Sequence, residues 1–343
     1  MNSFEIALLA IAILMVLLAL RIPVAVAMLL VGMGGFAALS GFGPLLSYAK
    51  SAPYYRFSTY DLSVVPMFLL MSQFATKAGL SAALFKATNS YLGHRKGGVA
   101  MAAVGGCAGF GAICGSSLAT AATMAQVALP ELERYKYSGA LATGALAAGG
   151  TLGILIPPSV VLVIFAIAVE ANIVTMFQAA FVPGLLAAAG YLLTIAIYVR
   201  VKPEAGPAGE KADKAERRHA LLETWPVILI FSVVIGGIYL GVFTPTEGAA
   251  FGALGTGIIA VWRGGLRWAG FIECIKGTAS STAMIFLILL GAGFFNAFLG
   301  LSRMPMEMAQ VIGESGLSPM AVLMIMLLLY LVLGCVMDSL AMI

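Results

Sequence analysis

The stretch GGCAGFGAICGSSLATAATMAQVALP, Gly105 to Pro130, is long and apolar enough to enter a membrane, yet its middle is a poor helix. Glycines at 105, 106, 109, 111 and 115 each lower helix propensity by roughly 1 kcal/mol relative to alanine. They lead into Ser116, Ser117 and the hydroxyls of Thr120 and Thr123, so the helix is expected to open near Gly115. In hydrocarbon an opened backbone persists only where buried protein, a water-filled cavity or a bound ion satisfies its N–H and C=O groups. Discontinuous helices build ion and substrate sites in secondary transporters in this way. A plainer reading also fits: helix packing through small side chains, of which Gly105-x3-Gly109 and Gly111-x3-Gly115 are two instances. The stretch alone leaves both open.

The whole chain shares this apolar character. It is 61% hydrophobic and 10% charged, where a soluble domain carries about a quarter charged residues. Apolar runs recur from the first residues to the last, which points to an all-α, polytopic membrane protein embedded in a lipid bilayer rather than to a barrel of alternating strands. The net charge of +4 is small and dispersed, and no basic face interleaved with aromatics invites nucleic acid. The run Phe4–Leu20 opens with acidic Glu5 instead of a basic leader and lacks a small-residue cleavage site, so it reads as a retained span. Cys107, Cys114, Cys274 and Cys335 lie singly in apolar surroundings and read as small buried side chains.

Phe4–Leu20 and Ile22–Ser40 are expected to be antiparallel spans joined at Arg21-Ile22-Pro23. Leu62 to Tyr91 is apolar but interrupted by Pro66, Gln73, Lys77 and Gly79, a pattern that suits a re-entrant hairpin. A second broken helix is expected in Gly139 to Glu170, at GGTLGILIPPS (149–159), where Pro157 and Pro158 remove backbone donors. Arg200 to His219 carries six Lys/Arg and four Asp/Glu and reads as a cytoplasmic linker. Beyond it come Leu221–Gly241, Pro245–Trp262, an interrupted stretch Ser280–Leu301 with Asn296, and a last span Met320–Ile343 holding Asp338.

Pro23 and Pro245 stand 222 residues apart, as do Ser117 and Ser339, and similar residues surround each pair. The expected organisation is a first repeat over 1–200, a linker over 201–220 and a second repeat over 221–343. The charges place Pro23 inside and Pro245 outside, so the repeats would be inverted in the membrane. The first copy runs roughly 80 residues past Ala119, so a complete second copy implies roughly 420 residues and a chain that is C-terminally incomplete.

Enzymatic signatures are absent: no His-Glu-x-x-His, no Gly-x-Ser-x-Gly and no Walker loop, so no nucleotide is expected as cofactor. A carboxylate at the centre of a membrane helix costs roughly 2.5 to 3.5 kcal/mol, so Asp338 should face a cation, a proton path or water. Its repeat mate is Ser116. Carbonyls, serine hydroxyls and a carboxylate are hard oxygen ligands suited to sodium; a helix-end aspartate at the interface is the plainer alternative. Thr120 and Thr151 are candidates for a substrate cavity. Glu247 reads as an early-turn acid capped by Thr244 or Thr246.

Four longer motifs occur in order: GFGAICGSSLATAATM (109–124), LATGALAAGGTLGILIPPSVVLVI (141–164), GVFTPTEGAA (241–250) and GCVMDSLAMI (334–343). Together they resemble the large membrane subunit of tripartite ATP-independent periplasmic (TRAP) transporters, the DctM-like family. The resemblance implies a sodium-coupled elevator-type importer of organic acids, of C4-dicarboxylate, keto acid or sialic acid type, in the bacterial inner membrane, with a fold like that of the ion-transporter superfamily. Its implied partners are a small four-helix membrane subunit and a periplasmic solute-binding protein. It also implies sodium around the two broken helices, carried here to Gly115, Ser116, Ser117, Gly153, Pro157, Pro158 and Asp338. Members of that family continue past the Asp338 motif. Competing readings are a two-component sodium/anion carrier working without a binding protein, and, from another class, a non-transporting membrane scaffold or an intramembrane enzyme.

Overall fold

The computed structural model describes residues 2–335 and 339–342, and every regular element among them is helical. In chain order the helices are α1 Ser3–Ala19, α2 Val24–Ser40, α3 Phe42–Phe57, α4 Val64–Lys77, α5 Leu80–Leu92, α6 Gly98–Cys114, α7 Ser117–Arg134, α8 Gly139–Leu155 and α9 Val160–Ala168. They continue as α10 Ile173–Val201, α11 Lys214–Glu223, α12 Trp225–Phe231, α13 Gly237–Tyr239, α14 Pro245–Trp262, α15 Trp268–Leu301, α16 Met304–Glu314, α17 Pro319–Gly334 and α18 Ser339–Met342. Among the described residues, α10 and α15 are long and apolar enough for each to cross a bilayer. Three bent pairs raise that number to as many as five: α4 with α5 at 64°, α8 with α9 at 47°, and α11 with the segment Trp225–Tyr239 at 40°.

The helices form two compact units, Met1–Tyr60 with Ser280–Ile343, and Asp61–Ala279. The first is built on α1, α2 and the second half of α15. Its core gathers Ala7, Leu14, Met28, Val31 and Phe36 around Phe294, Phe295 and Phe298. Close approach is set by glycine: a Cβ on Gly32 would lie 2.5 Å from the Phe295 amide nitrogen, and one on Gly35 2.5 Å from the Phe298 ring. Helix α15 runs unbroken where an interruption was expected. Two of its glycines are packed, Gly291 against the Ala25 carbonyl and Gly293 against the Arg56 guanidinium, while Gly300 meets nothing within 4 Å and Asn296 is exposed. Packing of this kind offsets the roughly 1 kcal/mol weakness of each glycine.

In the second unit α6 lies against α8, with α5, α7 and α10 beside them, and α14 packs along α4. The same packing explains why α6 stays helical through Gly105, Gly106, Gly109 and Gly111 and stops only at Gly115. Thr244 and Glu247 form a reciprocal cap at the start of α14: the Glu247 amide donates to Thr244 Oγ1 (3.3 Å), and the Thr244 amide donates to Glu247 Oε2 (2.8 Å). Cys107, Cys114 and Cys274 are buried as expected. Cys335 is exposed, because the end of α17 carries little protein over it.

The charged segment after α10 differs from a free linker. Its second half is helix α11, and its first half is strapped to two hairpin turns by backbone hydrogen bonds. Gly97 N–H donates to the Gly206 carbonyl (2.9 Å), Ser138 N–H to the Ala205 carbonyl (2.9 Å), and Gly209 N–H to the Gly93 carbonyl (2.8 Å). Lys86 closes the far end on Glu223 at 2.9 Å, and the Arg217 guanidinium lies over the Tyr91 ring. Composition alone missed the strap because backbone pairing leaves no side-chain signature.

Two outcomes test the strap. A Cβ at position 209 would sit 2.8 Å from the Gly93 carbonyl oxygen, so Gly209→Ala should speed amide hydrogen exchange at Gly97 and Ser138; unchanged exchange would show the strap to be idle. Glu223→Gln removes the charge that meets Lys86 at 2.9 Å and should speed the same exchange; unchanged exchange would show that this ion pair does not hold the strap.

Candidate functional site at two helix breaks

Two helices of the second unit open, and their openings meet. Helix α6 ends where Gly115 turns left-handed (φ 66°), and α7 begins after Ser116 in extended conformation. Helix α8 ends at Leu155, and α9 begins after extended Ser159, with a cis peptide bond between Pro157 and Pro158. The two breaks are built alike. Ser116 Oγ accepts from the Ala119 amide (3.4 Å), and Ser159 Oγ accepts from the Leu162 amide (3.4 Å), each capping the helix that follows. The Val160 amide then donates to the Gly115 carbonyl at 3.2 Å, joining one break to the other.

Only glycine permits this approach. A Cβ on Gly115 would lie 2.9 Å from the Pro158 carbonyl oxygen, in a left-handed conformation that side chains disfavour. A Cβ on Gly111 would lie 2.7 Å from Gly153 Cα, and one on Gly153 would lie 2.6 Å from Thr120 Oγ1 and 2.8 Å from the Ser116 carbonyl oxygen. A Cβ on Gly150 would lie 3.2 Å from the Ser117 carbonyl oxygen. The structure thus brings Gly115, Ser116, Ser117, Thr120, Gly153 and Pro158 into one neighbourhood, with Pro157 at the same break.

The polar groups released there are oxygens. Pro157 and Pro158 lack N–H groups, so the Gly153 and Ile154 carbonyls lose the donors four residues on that a continuous helix would offer. The Ser116 carbonyl accepts from the Thr120 amide at 3.1 Å and keeps a second lone pair. Thr120 is fully buried, and among the described residues its Oγ1 has no oxygen or nitrogen partner, with only the weakly bonding Cys114 thiol beside it. An orphaned buried hydroxyl among carbonyl oxygens fits a hard cation such as sodium. Among the described residues no group of three His, Cys, Asp or Glu could hold a metal. Helix direction adds to the chemistry. The C-terminal ends of α6 and α8 turn partial negative charge toward the breaks, and the N-terminal ends of α7 and α9 turn partial positive charge there.

Thr151 lies apart from the breaks. Its hydroxyl donates to the Ala148 carbonyl (2.7 Å) and pairs with the Tyr191 hydroxyl (2.9 Å) toward α10. Asp338 lies outside the described residues. Sequence reasoning missed Ser159, and it read Gly111 as a helix-packing glycine, which its approach to Gly153 bears out. Ser159 could have been found as the match to Ser116, since each is a serine between a break and an apolar helix. It also missed the buried contact of Ser72 Oγ with Cys114 Sγ (2.7 Å), which ties α4 to the end of α6 and has no signal in spacing.

The profile of the DctM component of tripartite ATP-independent periplasmic transporters matches residues 11–343. The chain is 35% identical over 287 residues to the C4-dicarboxylate TRAP transporter large permease protein of Pseudomonas aeruginosa, covering 83% of this chain and 66% of that protein. It is 31% identical over 283 residues to the sialic acid TRAP transporter large permease protein of Vibrio cholerae, covering 82% and 66%. It is 28% identical over 328 residues to the isethionate TRAP transporter permease protein of Oleidesulfovibrio alaskensis, covering 94% and 51%. The chain therefore spans between half and two thirds of the length of these relatives.

Glycine substitutions test the geometry. Gly111→Ala and Gly153→Ala should each destabilise the purified protein by about 1–3 kcal/mol, the usual penalty of overpacking, and lower its thermal midpoint. Gly144→Ala, where a Cβ meets nothing within 4 Å, should leave the midpoint unchanged or raise it. Equal midpoints for all three would contradict the crossing.

Proposed function

This chain belongs to the DctM-component family of TRAP transporters, a family of membrane permeases and not of enzymes, and on that premise we propose that it is the large permease subunit of a sodium-coupled importer of organic acids. The observation that carries the reading is the meeting of two opened helices around the buried hydroxyl of Thr120, which has no oxygen or nitrogen partner among the described residues. Ser116, Gly153 and Thr120 would hold sodium through carbonyl and hydroxyl oxygens. Asp338, in the motif over 334–343, is assigned to sodium by the family resemblance alone. Bound sodium would supply a positive charge that compensates the carbonyl ends of α6 and α8. The N-terminal ends of α7 and α9 would then face a substrate carboxylate with partial positive charge, which is the chemistry an organic acid requires.

The remaining parts of the proposal follow from the family. Residues 1–200 and 221–343 would be inverted repeats, and an elevator motion would carry the site across the bacterial inner membrane. A small four-helix membrane subunit and a periplasmic solute-binding protein would be partners. The acid-bearing names of the relatives, C4-dicarboxylate, sialic acid and isethionate, support the substrate class.

Uptake by the complete protein, reconstituted with its partner subunit and binding protein, should require a sodium gradient. Thr120→Val, which keeps shape and removes one oxygen, should raise the sodium concentration for half-maximal uptake roughly ten- to hundredfold, since a polar contact to a charged group is worth about 1.5–3 kcal/mol. Uptake that is independent of sodium would overturn the coupling. An unchanged sodium requirement in the variant would remove Thr120 from the site.

A further inference from the structure

An apolar groove of about 670 Å³ runs along the outer face of α14. Leu254, Gly257, Ile258, Val261 and Trp262 form one wall, at spacings that keep one helix face, and Phe74 and Phe271 stand opposite. From Ala253 to Trp262 the groove follows nine helical steps, about 13 Å, close to the ~15 Å hydrocarbon depth of a single leaflet. Gly257 deepens it, since a Cβ there would press to 3.2 Å from the Phe74 ring. Leu254, Ile258 and Val261 are all more than half exposed, so no other described residue covers the face.

One end of the groove is polar. There the loop Arg263–Arg267 follows α14, and Trp262 and Trp268 flank it at 72% and 75% exposure. The Trp268 ring stacks on Phe271 (5.6 Å), which stacks in turn on Phe74 (6.0 Å), so an aromatic ledge divides the apolar wall from the charged loop. Tryptophan at such a boundary marks the headgroup level of a bilayer. The charges at this end are unequal. Lys77, whose carbonyl touches Gly264, is neutralised by Glu273 at 2.6 Å. Arg263 donates to the Glu223 main-chain carbonyl (2.9 Å), while the Glu223 carboxylate faces Lys86 and His219. Arg267 forms no ion pair among the described residues. With Glu223 shared among Lys86, His219 and Arg263, two positive charges are in surplus in and beside the exposed loop that follows the apolar slot, between its lining residues Trp262 and Phe271.

We propose that this groove is a seat for one anionic glycerophospholipid, its acyl chain along α14 between Gly257 and Phe74 and its phosphate between Arg263 and Arg267. The excess charge selects the headgroup, and the depth selects a chain. A second protein would be expected to bring acidic side chains to the arginines, whereas the leaflet supplies phosphate at that level already. The seat is independent of the helix breaks, and it stands whether or not sodium drives transport.

The test places the complete protein in nanodiscs of phosphatidylcholine and titrates in phosphatidylglycerol or phosphatidylcholine brominated on the acyl chain, with tryptophan fluorescence as the readout. Bromines quench by contact, and Trp262 and Trp268 line the mouth. Brominated phosphatidylglycerol should quench at a roughly ten- to thirtyfold lower mole fraction than brominated phosphatidylcholine, on ~1 kcal/mol for each of two basic residues. Arg263→Gln with Arg267→Gln should abolish that preference while quenching by phosphatidylcholine persists. Gly257→Leu, which fills the slot, should weaken quenching by bromines placed deep in the chain. Equal quenching by the two lipids in the wild type would overturn the proposal. So would the absence of quenching by either, or a cross-linked partner protein or second copy over Trp262.

Discussion

A backbone opened in an apolar surrounding must find partners for the groups it releases, and in this chain two openings find them in each other. The Val160 amide donates to the Gly115 carbonyl, and the glycines at 111, 115, 150 and 153 let the two chains approach until backbone meets backbone. Three of the released amides find partners, Val160 in the Gly115 carbonyl and Ala119 and Leu162 in the serine caps, while the other first-turn amides of α7 and α9 stay turned to the breaks. On the acceptor side two consecutive prolines withdraw donors, and the buried Thr120 hydroxyl makes no hydrogen bond among the described residues. Oxygens left in that state are what a cation can correct.

The rest of the second unit supports that meeting. Ser72 on α4 holds the end of α6 through Cys114, and the strap of residues 203–209 pins the Gly97 and Ser138 turns from which α6 and α8 start. The helices that open at one end are therefore fixed at the other. Such an arrangement confines adjustment to the breaks, where φ and ψ already lie outside the helical region at Gly115, Ser116 and Ser159.

Much of this was legible in the sequence. The break near Gly115 and the break at Pro157-Pro158 follow from glycine and proline chemistry, the Thr244–Glu247 cap from its spacing, and the membrane class from composition. Three features were not legible. The continuity of α15 depends on what Gly291 and Gly293 touch, which propensity does not contain. The strap depends on backbone hydrogen bonds made by Gly93, Gly97 and Gly206, and a charged, proline-bearing segment gives no hint of them. The placement of Thr151 toward Tyr191, away from the breaks, depends on which side of α8 faces α10. Local residues decide where a helix ends, while the neighbours decide which ends come together.

The central claim is that the two breaks form one cation site, and hydrogen exchange of the complete protein in sodium against choline tests it most directly. The account predicts slower exchange in sodium at amides 115–121 and 159–163 together, at one shared half-maximal sodium concentration. Slowing confined to a single break, or no difference between the two salts at either, would contradict it.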